Sequence, residues 1–342
     1  MVGKKHLTSL SRYLGLILFS LIILSLIGCS ADDQAGATQE NSQEVVSIGI
    51  SQIIENPVLD LARDGFIDAL KEKGYEDGIN IEIDTQYAQG DIALTTTIAQ
   101  NFVSQDKDLI LAISTPSAQS ALQSTEEIPI LFTAVTDPVS AGLVDDLDSP
   151  EGNITGTTDM VPIEPQLELG KRIFPGSVKV GVPYNTSETN SQVQVELAKE
   201  AAKNAGLEIV EIPVTNSSEL EPALNAKMRD LDFLFLPSDN LIASSMPIIK
   251  KVTLDNNIGA IGVDEPMVEG GALACEGLDY YKLGYKTGLM AIEILEGKKI
   301  GDIPVLGAEE TELTINEDIA NRLGLTLPED ILENAVIIEG GN

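Results

Sequence analysis

Two hydrophobic periodicities alternate along the chain from residue 45 onward. Short apolar runs rich in β-branched residues, such as 45–51 and 109–114, are separated by stretches whose apolar residues recur at helical spacing. The stretch 57–73 shows this spacing, and Gly74 is placed to end the helix. The alternation predicts parallel sheets that are covered by helices on both faces.

This plan runs twice along the chain. In the first half, strands are predicted at 45–51, 80–87, 109–114 and 128–134, with helices near 57–73, 92–104 and 116–125. In the second half, strands are predicted at 178–183, 208–214, 233–237 and 260–263, with helices near 191–204, 219–229 and 241–255. An apolar segment at 272–275, a helix over 281–295 and strand-like pieces at 302–306 and 312–315 follow.

This tail is hard to fit as a third compact unit, so we expect the chain to cross between two lobes near 152–159, 272–279 and 307–316. The predicted fold is an α/β protein with two doubly wound parallel-sheet lobes, joined by a multi-strand hinge, with a ligand cleft between them. The predicted N-terminal lobe comprises 45–155 plus 280–310, and the C-terminal lobe comprises 156–279 plus 311–342.

The first 28 residues have the pattern of an export signal. Lys4, Lys5 and Arg12 precede an apolar run over 14–27, which is shorter than the roughly 20 residues that a membrane-spanning helix needs. The junction of Gly28 and Cys29 resembles a bacterial lipoprotein cleavage site, although a short membrane anchor with a chance cysteine is the alternative. We therefore expect lipid attachment at Cys29, anchoring to the outer side of the cell membrane, and a flexible polar tether over 29–44.

Composition narrows the function classes. The formal net charge of −33 argues against nucleic-acid binding, which needs a basic face. The single histidine lies in the predicted signal, and Cys275 is the one cysteine beyond Cys29, so we predict no metal site and no cofactor. The sequence lacks a Gly-x-Ser-x-Gly elbow and a phosphate-binding loop, which disfavours an enzyme.

Polar residues stand directly after the predicted strands, where open α/β sheets bind their ligands. The candidate ligand-binding residues are Gln52, Ile53, Thr115, Pro116, Ser117, Thr136, Asp137, Tyr184, Asn185, Ser238, Asp239 and Asp264. A helix beginning at Thr115 and Pro116 offers free amides to a carboxylate, whereas Asp239 and Asp264 offer acceptors to an ammonium group. This pairing suits a zwitterion, although single members of the set could equally be helix caps, a turn or a packed loop aromatic.

Ordered fragments of the chain resemble the bacterial ABC-transporter substrate-binding lipoproteins of the TrpX-like family. The resemblance is carried by Asn-Pro-Val-Leu-Asp at 56–60, Thr-Pro-Ser-Ala-Gln at 115–119, Val-Thr-Asp-Pro-Val at 135–139, Tyr-Asn-Thr-Ser-Glu at 184–188 and Pro-Ser-Asp-Asn at 237–240. It implies a periplasmic-binding-protein type I-like fold that closes on its ligand and delivers it to a membrane permease with a separate ATPase. Family members are often associated with aromatic amino acids, tryptophan or tyrosine among them.

The resemblance leaves two readings of the binding activity open. The first is a lipid-anchored receptor for uptake of an amino acid, with an aromatic side chain resting on Tyr184 or on Ile53, Ile54 and Val135. The second is an extracellular sensor of the same fold that signals through a membrane partner. The absence of tryptophan argues against a sugar ligand, because sugar-binding relatives of the fold usually clamp pyranose rings with aromatic side chains.

Overall fold

The first of two β-sheets is built mainly from the N-terminal half of the chain. The computed structural model describes residues 45–307 and 310–339. Strands β1 (Val46–Gln52), β2 (Ile81–Tyr87), β3 (Leu109–Ile113), β4 (Ile130–Val135), β5 (Ile154–Thr158) and β11 (Leu306–Gly307) form a parallel sheet in the order β11-β5-β4-β3-β1-β2. Helices α1 (Pro57–Glu72), α2 (Ile92–Ser104), α3 (Thr115–Ser124) and α10 (Tyr280–Leu295) pack on this sheet.

The second sheet comes from the C-terminal half. Strands β6 (Lys179–Asn185), β7 (Glu208–Val214), β8 (Phe233–Phe235), β9 (Gly259–Asp264), β10 (Ala274–Leu278), β12 (Glu312–Asn316) and β13 (Val336–Ile338) form it, in the order β13-β12-β10-β9-β8-β6-β7. Its strand pairs are parallel except for β10 and β12. The helices packed on this sheet are α4 (Glu164–Ile173), α5 (Thr189–Ala205), α6 (Ser217–Lys227), α7 (Asn240–Ser244), α8 (Met246–Asn256), α9 (Glu265–Glu269), α11 (Glu317–Arg322) and α12 (Glu329–Leu332).

Each sheet has its own hydrophobic core. Strands β3 and β4 are buried at every position, as expected for central strands of a sheet with helices on both faces. One core contains Phe66, Phe102 and Phe132, and the other contains Phe233 and Phe235. We refer to the two bodies as lobe 1 and lobe 2, after the first and second sheets. The predicted α/β fold with two parallel-sheet lobes is confirmed.

The chain passes between the lobes three times. It leaves β5 in lobe 1 for α4 in lobe 2, and it returns from β10 to α10, which packs on α1. The third passage lies between β11 in the first sheet and β12 in the second. The passages lie at or next to the predicted crossings, but strands β5 and β10 occupy most of 152–159 and 272–279. The exact lobe boundaries at 155, 279 and 310 stay a prediction.

Helix α10 is held against α1 by glycine. A Cβ atom on Gly284 would lie 1.8 Å from the Ala62 carbonyl oxygen, and one on Gly65 would lie 2.1 Å from the Tyr281 carbonyl oxygen. The two helix backbones therefore approach more closely than any residue with a side chain permits. This contact fixes the second crossing to lobe 1.

Several local predictions differ from the structure. The predicted helix at 241–255 is two helices, α7 and α8, because Pro247 in the first turn of α8 has no N–H to donate backward. Strand β5 was predicted only as a crossing, and helix α4 at 164–173 was not predicted. Within the described residues, no helix is long and apolar enough to span a membrane. The predicted signal, Cys29 and nearly all of the tether lie outside the described residues.

Candidate ligand-binding site

A cavity lies between the lobes, beyond the carboxyl ends of the central strands. Lobe 1 contributes the start of α1 and the end of β4, and lobe 2 contributes the starts of α5 and α7 and the end of β9. The lining residues are Asn56, Val58, Leu59, Ala134, Thr136, Asp159, Asn190, Ser238, Asp239, Asn240, Ala243, Asp264, Met267 and Tyr280. Asp159 and Tyr280 stand on two different crossings, so the cavity also touches the hinge.

Three polar atoms of the lining are buried without a hydrogen-bond partner. They are Asp159 Oδ1, Asn190 Oδ1 and Ser238 Oγ. The other carboxylate oxygen of Asp159 accepts a hydrogen bond of 2.7 Å from the Tyr280 hydroxyl. Leaving a buried polar group unpaired costs about 1–3 kcal/mol. The cavity therefore favours a ligand that supplies hydrogen-bond donors at this position.

Two buried carboxylates give the cavity its electrostatic character. Burial raises the pKa of Asp159 above its usual value, against the opposing effect of the Tyr280 hydrogen bond. Burial also raises the pKa of Asp264 to about 7, with a contribution from the charge of Asp159 and against the hydrogen bond from the Met267 N–H. A cation placed between these carboxylates would favour their ionised forms. The chemistry of this end of the cavity thus suits an ammonium group.

Asp239 lines the same cavity, but its oxygens are already engaged. Oδ2 accepts a 2.6 Å hydrogen bond from the Asn185 N–H, and Oδ1 accepts one of 2.9 Å from the Ile242 N–H at the start of α7. This is the geometry of an N-cap carboxylate. Asp239 therefore supports the lobe 2 loops, and its contact with a ligand stays a prediction. Asp159 also lines the cavity, and one of its carboxylate oxygens is buried without a partner.

The first turn of α3 carries a second set of unpaired polar atoms. The hydroxyl oxygens of Ser114, Thr115 and Ser117 are buried without partners, and the N-cap Ser114 makes no side-chain cap. Ser114 has φ +88° and Ala134 has φ +54°, conformations that cost non-glycine residues about 1–3 kcal/mol each. Free amides, hydroxyl donors and the helix dipole together make this turn suitable for a carboxylate.

Gln194 lies on a lobe 2 helix that contacts α3. It is fully buried on α5, one turn beyond the lining residue Asn190, and neither its Nε2 nor its Oε1 has a hydrogen-bond partner. Residues four apart share one face of a helix, and α5 contacts α3 across the interface between the lobes. Both helices of this contact therefore carry buried polar atoms without partners.

Eight of the twelve candidates lie outside the cavity lining, Thr115 and Ser117 among them. The Gln52 side chain donates to the Ile54 carbonyl and to Asp60, and Asp137 caps the turn at Val139 and Ser140. The Tyr184 hydroxyl donates to Glu211 at 2.9 Å, and the Asn185 side chain donates to Glu188. Ile53 and Pro116 are buried in lobe 1. For all twelve candidates a ligand contact stays a prediction.

Sequence reasoning placed Thr136, Ser238, Asp239 and Asp264 at the cavity, and it missed the lining residues Asp159, Asn190 and Tyr280. It also missed Gln194, whose buried amide has no partner. Asp159 follows β5 directly, so predicting a strand at 154–158 would have indicated Asp159 as a candidate residue at a strand end. The asparagine and glutamine lie inside an amphipathic helix, where the sequence alone gives no signal of an inward-facing polar side chain. Among the described residues, no group of three or more His, Cys, Asp or Glu residues is arranged to hold a metal.

Known proteins similar to this chain share its fold. The chain matches a family model described as ABC transporter substrate binding protein over residues 47–338. A tyrosine-binding protein from Clostridioides difficile (strain R20291) is 50% identical over 319 residues, or 92% of each chain. The crystal structure of a Streptococcus pneumonia ABC domain in complex with L-Trp is 35% identical, with a TM-score of 0.83 over 86% of this chain and 99% of that one.

A third relative differs in the arrangement of its structure. The ligand-free, open structure of a Clostridium difficile substrate binding protein with adhesive properties is 47% identical, and the match covers 87% of this chain and 100% of that one. Its TM-score is only 0.67, below the 0.83 of the less identical L-Trp complex. The structure of this chain is thus more similar to a ligand-bound relative than to an open one.

Proposed function

The chain belongs to the family of ABC transporter substrate-binding proteins, and from this premise we propose that it binds an aromatic amino acid between its lobes for import. Proteins of this family are extracytoplasmic, bind small-molecule ligands and work with ABC permease components; they are not enzymes. The proposal adds to that family assignment the chemical class of the ligand, the residues that hold it and the direction of transport.

The observation that carries the ligand class is the set of unpaired acceptors in the cavity. Asp159 Oδ1, Asn190 Oδ1 and Ser238 Oγ number three, and an ammonium group has three N–H donors. The nearby Asp264 carboxylate supplies further negative charge. An amino-acid ammonium group bound here pairs the buried oxygens and compensates the buried carboxylates.

The carboxylate of the ligand binds at the start of α3 in this proposal. The hydroxyls of Ser114, Thr115 and Ser117 supply donors from lobe 1, and Gln194 Nε2 supplies one from lobe 2. Charge-assisted hydrogen bonds of this kind are about twice as strong as neutral ones. Because the donors come from both lobes, a bound carboxylate stabilises the closed arrangement.

The apolar part of the lining is the contact surface for the ligand side chain. Val58 and Leu59 offer aliphatic contacts from α1, and Met267 offers a thioether, which packs favourably against aromatic rings. The tyrosine-binding and L-Trp-bound relatives support an aromatic side chain.

Closure of the lobes is the proposed signal to the permease. The higher TM-score against the L-Trp complex than against the open relative supports a motion of this type. A ligand that contacts both lobes shifts the population towards the closed form by its differential affinity for that form. The permease then recognises the closed form.

We also propose that the receptor is held at the membrane by lipid on Cys29. The support is the order of a basic segment, an apolar run and a Gly-Cys junction in the first 29 residues. Expression of the full chain in a bacterial host with a labelled fatty acid tests this proposal. Wild-type protein should incorporate label and Cys29→Ala should not; equal labelling of both would contradict it.

Thermal unfolding of soluble residues 30–342 tests the ligand class. The chain contains no tryptophan, so the fluorescence of bound tryptophan can be followed without a protein background. A ligand at 1,000 times its dissociation constant should stabilise the protein by about 4 kcal/mol. Stabilisation by tyrosine, tryptophan or phenylalanine supports the proposal, whereas stabilisation only by sugars or purines from the same panel would contradict it.

A further inference from the structure

A buried carboxylate that does not line the cavity lies directly behind it. Glu188 is the N-cap residue of α5 and is 4% exposed. Its carboxylate accepts hydrogen bonds from three asparagine amides: Asn185 Nδ2 on Oε1 at 2.9 Å, Asn190 Nδ2 on Oε2 at 3.4 Å, and Asn240 Nδ2 also on Oε2. Within the described residues, the charged group that faces this carboxylate is the Asp239 carboxylate.

These contacts determine the orientation of the Asn190 amide. Its Nδ2 donates at 2.9 Å to the Ser238 carbonyl oxygen, at 3.4 Å to Glu188 Oε2 and at 3.4 Å to the Ser191 hydroxyl. The carbonyl and the carboxylate can only accept, so a flipped amide would place Oδ1 against these two oxygens and lose both hydrogen bonds. The Oδ1 atom is therefore the one left unpaired, on a residue that lines the cavity.

Burying Glu188 beside Asp239 is costly for the free protein. Burial and the charge of Asp239 raise the pKa of Glu188 to about 7, although the three asparagine amides oppose this rise. A glutamine or an apolar residue would fill the same space without this cost. A carboxylate differs from either in accepting at both oxygens, which is the property needed to hold donors on three neighbouring amides at once.

We propose that Glu188 is a positioning residue of the binding site, which fixes the Asn190 carbonyl towards the cavity so that it accepts a donor from the ligand ammonium group. This inference rests on the proposed amino-acid function. It gives a role in specificity to a side chain that does not line the cavity. The same arrangement makes the cavity reject a ligand that would present an acceptor to Asn190.

The test is Glu188→Gln, assayed by calorimetric titration with tyrosine and with 3-(4-hydroxyphenyl)propanoate, which has the same ring and carboxylate but no ammonium group. Glutamine places a donor where an acceptor is needed, so the Asn190 amide loses its fixed orientation. We expect tyrosine affinity to fall about tenfold or more and the affinity for the deaminated acid to stay within about twofold. A merely structural role would lower both affinities by the same factor, and that result would overturn the inference.

A double-mutant cycle with Asn190→Ala provides the second readout. If Glu188 acts through Asn190, the double variant binds tyrosine as weakly as Asn190→Ala alone. Fully additive losses would overturn the inference. Should Glu188→Gln fail to fold, Glu188→Asp carries the same comparison, since its shorter carboxylate cannot reach all three amides. Failure of the wild-type protein to bind any amino acid would contradict the proposed function, whereas tyrosine binding unchanged in a folded Glu188 variant contradicts this inference alone.

Discussion

Replacing Gln194 by methionine should stabilise the ligand-free protein and lower its affinity for the ligand. Gln194 is fully buried, and both polar atoms of its amide lack partners. Methionine has a similar length and an unbranched, apolar side chain, so it fills the same volume without unpaired polar atoms. The substitution therefore removes a cost of the free protein together with a proposed donor to the ligand carboxylate.

The expected changes in stability and affinity follow from the hydrogen bonds that Gln194 lacks in the free protein and is proposed to make with the ligand. An unpaired buried polar group costs about 1–3 kcal/mol, so relieving the amide should add about 2 kcal/mol to the free energy of unfolding. For a chain of this size that gain raises Tm by about 4 °C. Loss of a hydrogen bond to a charged group costs about 1.5–3 kcal/mol, so tyrosine affinity should fall by about tenfold to a hundredfold.

Differential scanning calorimetry without ligand and calorimetric titration with tyrosine measure the two effects. Gln166→Met is the matched control: this buried glutamine donates to the Glu276 carbonyl and accepts from the Glu276 N–H, and it does not line the cavity. The control should lower Tm and leave the tyrosine affinity unchanged. A lower Tm for Gln194→Met with unchanged affinity would refute the reasoning, because it would show that Gln194 is satisfied within the protein.

Three further predictions concern the carboxylates and the hinge. Asp159→Asn should weaken tyrosine binding by about tenfold to a hundredfold in titration calorimetry. Asp239→Asn should mainly lower Tm, since both Asp239 oxygens accept backbone N–H groups. The reverse pattern would contradict these roles. Burial raises the pKa of Asp264 from 3.8 to about 7, so the free energy of unfolding of the ligand-free protein falls as the pH rises through this interval. Because the ligand ammonium group favours the ionised carboxylate, tyrosine affinity should increase between about pH 6 and about pH 8, and binding should release protons. A flat pH profile without a buffer-dependent binding heat would count against this role of Asp264. Gly284→Ala should lower the free energy of unfolding by at least about 1–3 kcal/mol in a denaturant titration, because its Cβ would lie 1.8 Å from the Ala62 carbonyl oxygen. The control Gly307→Ala should be near neutral, because the nearest atom to its Cβ would be 3.7 Å away. Equal effects would argue against the close helix contact.

The fold could be predicted because its signals are local. Apolar runs such as β3 and β4 are buried at every position, and the helical spacing in α1 matches its buried residues Leu59, Ala62 and Phe66. The start of α3 was also predictable, since Pro116 suits the first turn of a helix. These features depend on neighbours within a few residues, so they can be predicted from the local sequence.

The cavity depends on contacts that are distant in sequence. Asp159 and Tyr280 meet across 121 residues, and this pairing follows from how two crossings are placed side by side. Asp239 follows a strand, which predicts an ammonium acceptor, yet the same position also allows a carboxylate to cap the next helix. The positions of the Asn185 and Ile242 N–H groups show this capping role, which the sequence did not predict.

The most direct test of the central claim is calorimetric titration of residues 30–342 with tyrosine, tyramine and 3-(4-hydroxyphenyl)propanoate. Tyramine lacks the carboxylate that α3 and Gln194 are proposed to bind, and the propanoate lacks the ammonium group assigned to Asp159, Asn190 and Ser238. We predict that tyrosine binds and that each analogue binds at least about a hundredfold more weakly. Binding of either analogue as tightly as tyrosine would contradict the assignment of the corresponding end of the cavity.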